Sequence, residues 1–432
     1  MSVSICLKPV RSQCSYIPLA VLGYCVTRSQ LLAGLESTVE VPMKTRKYTP
    51  TDKLLDILIA ILAGCGNLAQ VNPRLRPELA LAQAWQRPVF AEQSSLSRLL
   101  DVLETEHIEQ LQSVNLNLLK QHSQLRQHDW RKQLIMDIDS TSLLASKRAE
   151  GSRKGWVSGK RGCFCRHVLR FTLAGYHESL LSVVYPGDRQ GHEYCIPAIK
   201  QLLDEWPWNR SQRKQIIIRS DAGQGTNKNV SYLLWLGFQL LLKAYSGPRT
   251  QAWLKRIDEK QWVRDPDDRE AWMTPAPVSL RLGRHVDAFM LRWYGKKRQR
   301  KHATLLTTLP FDMFDLWKLY DQRAITEIEI RSDKSGLALH QRRKQSLTAQ
   351  EAWIVLTDIA HNLLAWLRPW MLAGSSFEDL GPKRLVRDLL TIPGSIHIRN
   401  GKLQRVTLWE THPYAKEMAL CLHNLLKTFD LT

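Results

Sequence analysis

Two apolar stretches that each run into an aspartate limit what this chain can fold into. Residues 133–139 (QLIMDID) follow a basic loop and lead into Ser140 and Thr141, and residues 215–219 (QIIIR) lead into Ser220, Asp221, Ala222 and Gly223. Both read as short apolar β-strands. Glycine just after Asp221 marks a turn, so that carboxylate is expected at the carboxyl edge of a sheet. In the first strand Asp137 and Asp139 point to one face, because strand side chains repeat with period 2, and alternation cannot choose between them. Position favours Asp139, since open α/β sheets carry their sites at the carboxyl ends of strands. Asp137 is then expected to support it from behind.

The neighbouring pattern fills in the sheet. Residues 167–174 and 180–186 alternate and predict a hairpin around Gly175. A helix is expected over 194–205, another over 230–236, and a strand over 238–244. The resulting order is strand, strand, strand, helix, strand, helix, strand. Cys163, Cys165 and His167 sit at strand spacing but have no second ligand pair, so they are not read as a zinc site.

Charge narrows the partner. Lys plus Arg number 61 against 41 Asp plus Glu, a formal net charge of +20. Such an excess suits a polyanion, nucleic acid above all. No stretch approaches the 18 or so apolar residues that a membrane span needs, and the best apolar run, 54–63, contains Asp56. Eight cysteines without a repeating pattern suit reduced thiols in a cytosolic protein. Residues 147–161 are Gly-rich and basic, which fits a loop over DNA. Between 245 and 302, Trp253, Trp262, Trp272 and Trp293 interleave with charged residues, and strands are expected over 278–282 and 288–293. The basic run Lys296, Lys297, Arg298, Arg300 and Lys301 closes that segment and is a candidate DNA contact. Each single tryptophan is more simply read as packing a small β core.

Residues 320–334 (YDQRAITEIEIRSDK) contain no Pro or Gly and predict a helix. On a wheel of about 100° per residue, Tyr320, Arg323, Glu327 and Lys334 fall within an arc of roughly 60°. Glu329 lies roughly opposite Tyr320 and faces away. One face thus carries a carboxylate flanked by cations, which suits a metal ion and a nucleic-acid backbone arriving together.

The spacing Y-x2-R-x3-E-x6-K resembles the signature of one group of bacterial insertion-sequence transposases, the DDE enzymes named for two aspartates and a glutamate. The R-S-D-A-G segment through Gly223 resembles that family's second aspartate motif, and the D-S-T that begins at Asp139 resembles its first. Ser94-Ser95-Leu96-Ser97-Arg98 resembles the S-T-L-S-R stretch before its catalytic core. The resemblance covers about residues 50–425. It implies an α/β fold: a ribonuclease-H-like mixed sheet flanked by helices, interrupted by a β-rich insertion and preceded by a helical N-terminal domain. It further implies that Asp139, Asp221 and Glu327 converge on two Mg²⁺ ions about 3.5–4 Å apart, with Mn²⁺ able to substitute. Tyr320, Arg323 and Lys334 would hold the DNA strand. The implied activity is cleavage and strand transfer on double-stranded DNA, at terminal inverted repeats and a target, by a homodimer in the bacterial cytoplasm at the nucleoid. The alternatives are a transposase-derived protein that only binds DNA, and a ribonuclease-H-like nuclease without strand transfer.

The expected division is 43–130 as a helical DNA-binding domain of helix-turn-helix type, 131–250 and 306–370 as the two parts of the catalytic core, 251–305 as the insertion, and 371–432 as a C-terminal region. An apolar helix over 350–367 is expected to cover the sheet. Residues 1–42 faintly imitate a signal peptide and are expected to be a poorly structured extension or an over-called start, with Met43 the more natural beginning.

Overall fold

A computed structural model describes residues 12–431, apart from 158, 246, 268–270, 279, 296 and 297 and the side chains of 281, 325 and 326. The chain divides into two compact units, Met1–Ser123 with Arg331–Thr432, and Gln124–Ile330. The sequence-based boundaries at 130, 250, 305 and 370 are not the boundaries of these units.

The first unit opens with a short strand, β1 (Gln13–Cys14), and a helix, α1 (Ile17–Arg28). Pro18 suits the first turn of that helix, and every residue from Ile17 to Val26 is buried. The expectation of a poorly structured 1–42 is therefore corrected for its described part: the apolar patch that imitates a signal peptide is a core helix. There follow α2 (Gly34–Thr38), α3 (Pro50–Leu62), α4 (Leu79–Ala84), α5 (Gln93–Asp101) and α6 (Thr105–His122). Thr49 caps α3, with Asp52 returning the bond from the third position of a capping box. Asp56, the charge inside the apolar run, is fully buried and accepts from Arg87 Nε at 3.1 Å and the Ala91 amide at 2.7 Å. Burial pushes its carboxyl up to about 6.

The second unit is built on β2 (Leu134–Leu144), β3 (Arg153–Val157), β4 (Lys160–Leu173), β5 (Glu178–Pro186), α7 (Gly191–Glu205), α8 (Arg210–Gln215), β6 (Ile216–Ser220), α9 (Asn227–Leu236) and β7 (Gln239–Lys243). The hairpin and the strand–helix alternation expected from the sequence are all present. The central strands run in the order β5-β4-β2-β6-β7; β4 is antiparallel to both neighbours, and β2, β6 and β7 are parallel. Helix α7 packs on β4 and β5, and α9 on β7. Two expectations change. Residues 147–161 are not only a loop, because β3 pairs with the long outer arm of β4. And β2 does not stop at Asp139: it continues to Leu144 beside β4, although its pairing with β6 ends at Ile138.

After α10 (Gly247–Leu254) come β8 (Val263–Arg264), β9 (Ala271–Pro275), β10 (Leu280–Arg281), β11 (His285–Tyr294) and β12 (Arg300–Thr307). These strands form no separate sheet. Strand β12 pairs antiparallel with β7, and the ladder continues through β11 and β9 to β8. Ile217, Leu241, Met273, Leu291 and Leu305 share one core cluster with Leu316 and Tyr320 of α11 (Met313–Asp321). The helix expected over 320–334 is broken at Gln322, so Tyr320 lies in the last turn of α11 while Arg323 opens α12 (Arg323–Gly336).

The rest of the first unit comprises α13 (Leu347–Leu367), the hairpin β13 (Gly394–Arg399) and β14 (Lys402–Leu408), and α14 (Ala415–Thr428). Asn400 and Gly401 turn the hairpin with positive φ, as Asn-Gly does in tight hairpins. Helix α13 is apolar nearly all round and buried to match. Its partners within the first unit are α3, α5 and α6. Helix α1 packs against α4 and α14. Among the described residues no helix is long and apolar enough to cross a membrane.

Candidate active site

The parallel strands β2 and β6 end side by side, and this brings two carboxylates together. Asp139 follows Ile138, the last residue of β2 paired to β6; Asp221 follows Ser220, the last residue of β6. Beyond it the chain turns, with the Gly223 amide donating to Asp221 Oδ1 at 2.9 Å. The glycine this turn most needs is Gly225: a Cβ there would lie 2.0 Å from the Lys243 carbonyl oxygen. Gln224 Nε2 and the Tyr185 hydroxyl each donate to Ser140 Oγ at 3.3 Å, tying the turn and β5 to β2 beside Asp139.

Asp137, the alternative within the same strand, does something else. It is fully buried and receives Arg219 in a two-pronged pair, Nε at 2.7 Å and Nη2 at 2.8 Å. The third guanidinium nitrogen, Nη1, donates to the Leu319 carbonyl at 2.5 Å and so holds the end of α11 to the sheet.

Arg323 joins Glu327 to the cluster. Its Nη1 donates to Asp139 Oδ1 at 3.3 Å and its Nη2 bonds Glu327 Oε1 one turn along α12. Asp139 is 14 % and Glu327 44 % exposed at the side chain. Burial pushes the Asp139 carboxyl up to about 7; Arg323 opposes the rise, and the Asp221 and Glu327 charges add to it. Burial likewise raises Asp221, against Arg323 and the Gly223 amide. Burial works against the Arg323 charge, yet Tyr320, Asp139, Glu327 and Asp221 together hold the guanidinium protonated beyond its ordinary range. Asp139 and Asp221 thus lie beside one arginine, and both still favour a proton.

Buried carboxylates that still favour a proton beside an arginine suit a divalent ion. The donors are hard carboxylate oxygens, as Mg²⁺ prefers, and Arg323 stands where positive charge is wanted. Among the described residues no three acidic, His or Cys side chains are already placed to hold an ion. Arg323 is bonded to both Asp139 and Glu327.

The remaining sequence-derived contacts divide. Tyr320 is buried, donates to the Ser220 carbonyl at 3.2 Å and has its hydroxyl pushed up to about 12 by burial. Glu329 is indeed on the other side of α12 from Glu327, bonded to His177 in the β4–β5 turn. Lys334 lies in the first unit, half-buried, its carbonyl bonded to the His340 ring. Lys296 and Lys297 fall outside the described residues. Arg298 and Arg300 are exposed, and Arg300 lies 3.7 Å from Glu259. All four tryptophans have a cation of the protein over the ring: Arg249 over Trp253 at 6.0 Å, Arg292 over Trp262 at 4.5 Å and over Trp272 at 5.3 Å, and Lys243 over Trp293 at 5.1 Å.

Lys243 is the site residue that sequence reasoning missed. It ends β7, and its ammonium sits 4.9 Å from the Tyr320 ring, 5.1 Å from Trp293 and 5.9 Å from Trp317. Burial lowers its pKa, as does Arg323, while Glu327, Asp221 and Asp321 oppose that. A lysine closing an apolar strand that neighbours the Asp221 strand was the available signal.

No curated protein matches the chain. Among solved structures it is similar to the piggyBac transposase synaptic complex with hairpin DNA, at 10 % identity over 89 % of this chain and 82 % of that one, with a TM-score of 0.48. It is also similar to the pre-cleavage Mos1 transpososome, at 12 % identity over 46 % of this chain and 60 % of that one, with a TM-score of 0.18. The family model described as transposase DDE domain group 1 matches residues 21–429, and the chain belongs to that family of transposases.

Proposed function

We propose that the protein cuts and rejoins DNA at the ends of its own mobile element, with Asp139, Asp221 and Glu327 as the metal-binding catalytic triad. The observation that carries this reading is the cluster itself: two aspartates at adjoining ends of parallel strands, a glutamate on α12, and an arginine among them in a protein of charge +20. A protein that only bound DNA would have no use for three carboxylates in that position.

When bound, divalent ions supply a more acidic attacking water or 3′-hydroxyl and charge for the leaving oxygen. The protein's own part is to position and to exclude. Asp139 and Asp221 are fixed by the sheet and by the Ser140–Gln224–Tyr185 bonds. Glu327 is on a helix that turns Glu329 the other way, so its carboxylate has one direction to serve. Lys243 keeps positive charge beside Asp221 and Glu327, and its aromatic surround restricts water. Tyr320, Arg323 and Lys334 are assigned to the DNA strand, as are Lys296, Lys297, Arg298 and Arg300 of the basic run. For Arg323 that role requires release from Asp139 and Glu327. We assign a homodimer on DNA as the acting form and the bacterial nucleoid as its place.

The test is a cleavage and joining assay with Mg²⁺ or Mn²⁺ on DNA carrying the element's own ends. Wild type is expected to cut and join. Asp139→Asn, Asp221→Asn and Glu327→Gln are expected to bind the same DNA and form no product. Binding without cutting under either metal would favour the DNA-binding alternative; cutting without joined product would favour the nuclease.

A further inference from the structure

The first unit holds a cavity of about 320 Å³ whose lining includes Ser94 and Ser97 of α5, the consecutive cations Arg342, Arg343 and Lys344, and Trp353 of α13. Among the described residues no acidic side chain lines it. Ser94 and Ser97 belong to the S-S-L-S-R segment that stands out in the sequence and has no part in the carboxylate cluster.

The floor of this cavity is built, and it is short of acceptors. Arg342 is 3 % exposed; Nη2 donates to the Cys65 carbonyl at 2.6 Å, Nη1 bonds the Leu337 carbonyl, and the guanidinium lies over the Trp353 ring at 5.0 Å. Its Nε has no acceptor, and neither has Nε1 of Trp353, which is 2 % exposed. Two buried N–H groups without acceptors are costly. A guanidinium cannot relieve that cost by giving up its proton at ordinary pH. The Gln341 side chain, beside Arg342, lies close against Gly66, where a Cβ would fall 2.2 Å from its Oε1. The arrangement supplies donors and positive charge, with two donors of its floor unmet; the carboxylate beside it, Asp101, lies outside the lining, accepts from Ser97 Oγ at 3.5 Å and acts on Lys344.

We propose that this cavity is a phosphate-binding subsite of the first unit that takes a backbone phosphodiester of DNA. Arg343 and Lys344 draw the phosphate in, the Ser94 and Ser97 hydroxyls donate to it, and Arg342 and Trp353 form the floor. The choice of DNA over a free phosphate rests on the transposase reading.

The experiment measures the salt dependence of binding of the full-length protein to a labelled duplex by fluorescence anisotropy. Arg343→Ala with Lys344→Ala is compared with wild type; Ser97→Glu, which adds a carboxylate to the cavity, is the second variant, and thermal melts check that each folds. Losing one phosphate contact is expected to flatten the plot of log K against log salt by about 0.9, and losing two by about 1.8. Ser97→Glu is expected to weaken binding in the same direction. If wild type binds the duplex and both variants keep its slope and affinity, the subsite is refuted while the transposase reading stands. If wild type binds no duplex at all, that reading and the subsite fall together. Calorimetric titration with inorganic phosphate separates the sources: tight binding lost in the variants, with an unchanged DNA slope, would assign the cavity to a free anion and overturn the DNA proposal.

Discussion

Arg219 grips Asp137 with two hydrogen bonds of 2.7 and 2.8 Å within the sheet, two residues before Asp139. The two aspartates of β2 should therefore fail in different ways. Breaking a buried pair by neutralising one partner costs about 3–5 kcal/mol, so Asp137→Asn is expected to lower the melting temperature markedly. Asp139→Asn is expected to leave stability equal or higher and to abolish product. Thermal melts beside the joining assay check this; an inactive, fully stable Asp137→Asn protein would reverse the two roles.

Asp139 sets a pH dependence of stability in the metal-free protein. Its folded carboxyl stands at about 7 against an ordinary 3.8, so the folded state holds this proton more tightly than the unfolded chain. The contribution is complete below about pH 4 and is lost as pH rises through about 7, up to about 4 kcal/mol. Unfolding by denaturant between pH 5 and 8 should show it, and Asp139→Asn should flatten the curve. Mg²⁺ should restore stability more at pH 8 than at pH 6.

Arg323 supplies the positive charge among the carboxylates when no ion is bound. Arg323→Gln is expected to destabilise the metal-free protein by about 1–3 kcal/mol, since it leaves charged groups uncompensated. Added Mg²⁺ or Mn²⁺ should then raise its melting temperature more than that of wild type. An equal response in both would show that the guanidinium and the ion do not share a place.

Removal of residues 1–42 tests the first unit's core. Ile17, Leu19, Val21, Leu22 and Val26 of α1 are all 0–2 % exposed, and each buried side chain of this kind contributes about 1.5–3 kcal/mol. Their sum rivals the entire stability of a typical protein, about 5–15 kcal/mol. A chain starting at Met43 is expected to be insoluble or to lose cooperative melting.

Gly225→Ala should disable the site without touching a carboxylate. The new methyl would meet the Lys243 carbonyl at 2.0 Å, forcing the Asp221 turn and the end of β7 apart. Gly223→Ala meets only Asp221 Oδ1, at 3.0 Å, and is expected to cost far less. Activity of the two variants, each normalised to its folded fraction, makes the comparison.

Local chemistry explains what could be seen in advance. Runs such as QIIIRSDAG carry strand, stop and turn in nine residues, so the carboxylates and the order of the central strands were legible. Partners far apart in sequence were not. Nothing near Asp137 announces Arg219, and nothing near Lys243 announces Trp293 and Trp317. The helix wheel over 320–334 placed Arg323 and Glu327 on one face but passed over the break at Gln322, which no Pro or Gly marks. The apolar patch in α1 carries the same composition whether it is a cleaved leader or a core helix; only its partners α4 and α14 decide. For α13, an all-round apolar surface shows burial without saying against what.

The ladder from β7 through β12 means that the β-rich segment is not a detachable cassette. Its removal would strip β7 of its antiparallel neighbour and leave a bare row of amides and carbonyls, the kind of edge that recruits other chains. Shortened descendants of such a protein would need a new strand or a covering loop at Leu241 to Lys243 before they could remain in solution. Grafting the segment onto another scaffold would likewise succeed only where a strand stands ready to receive β12.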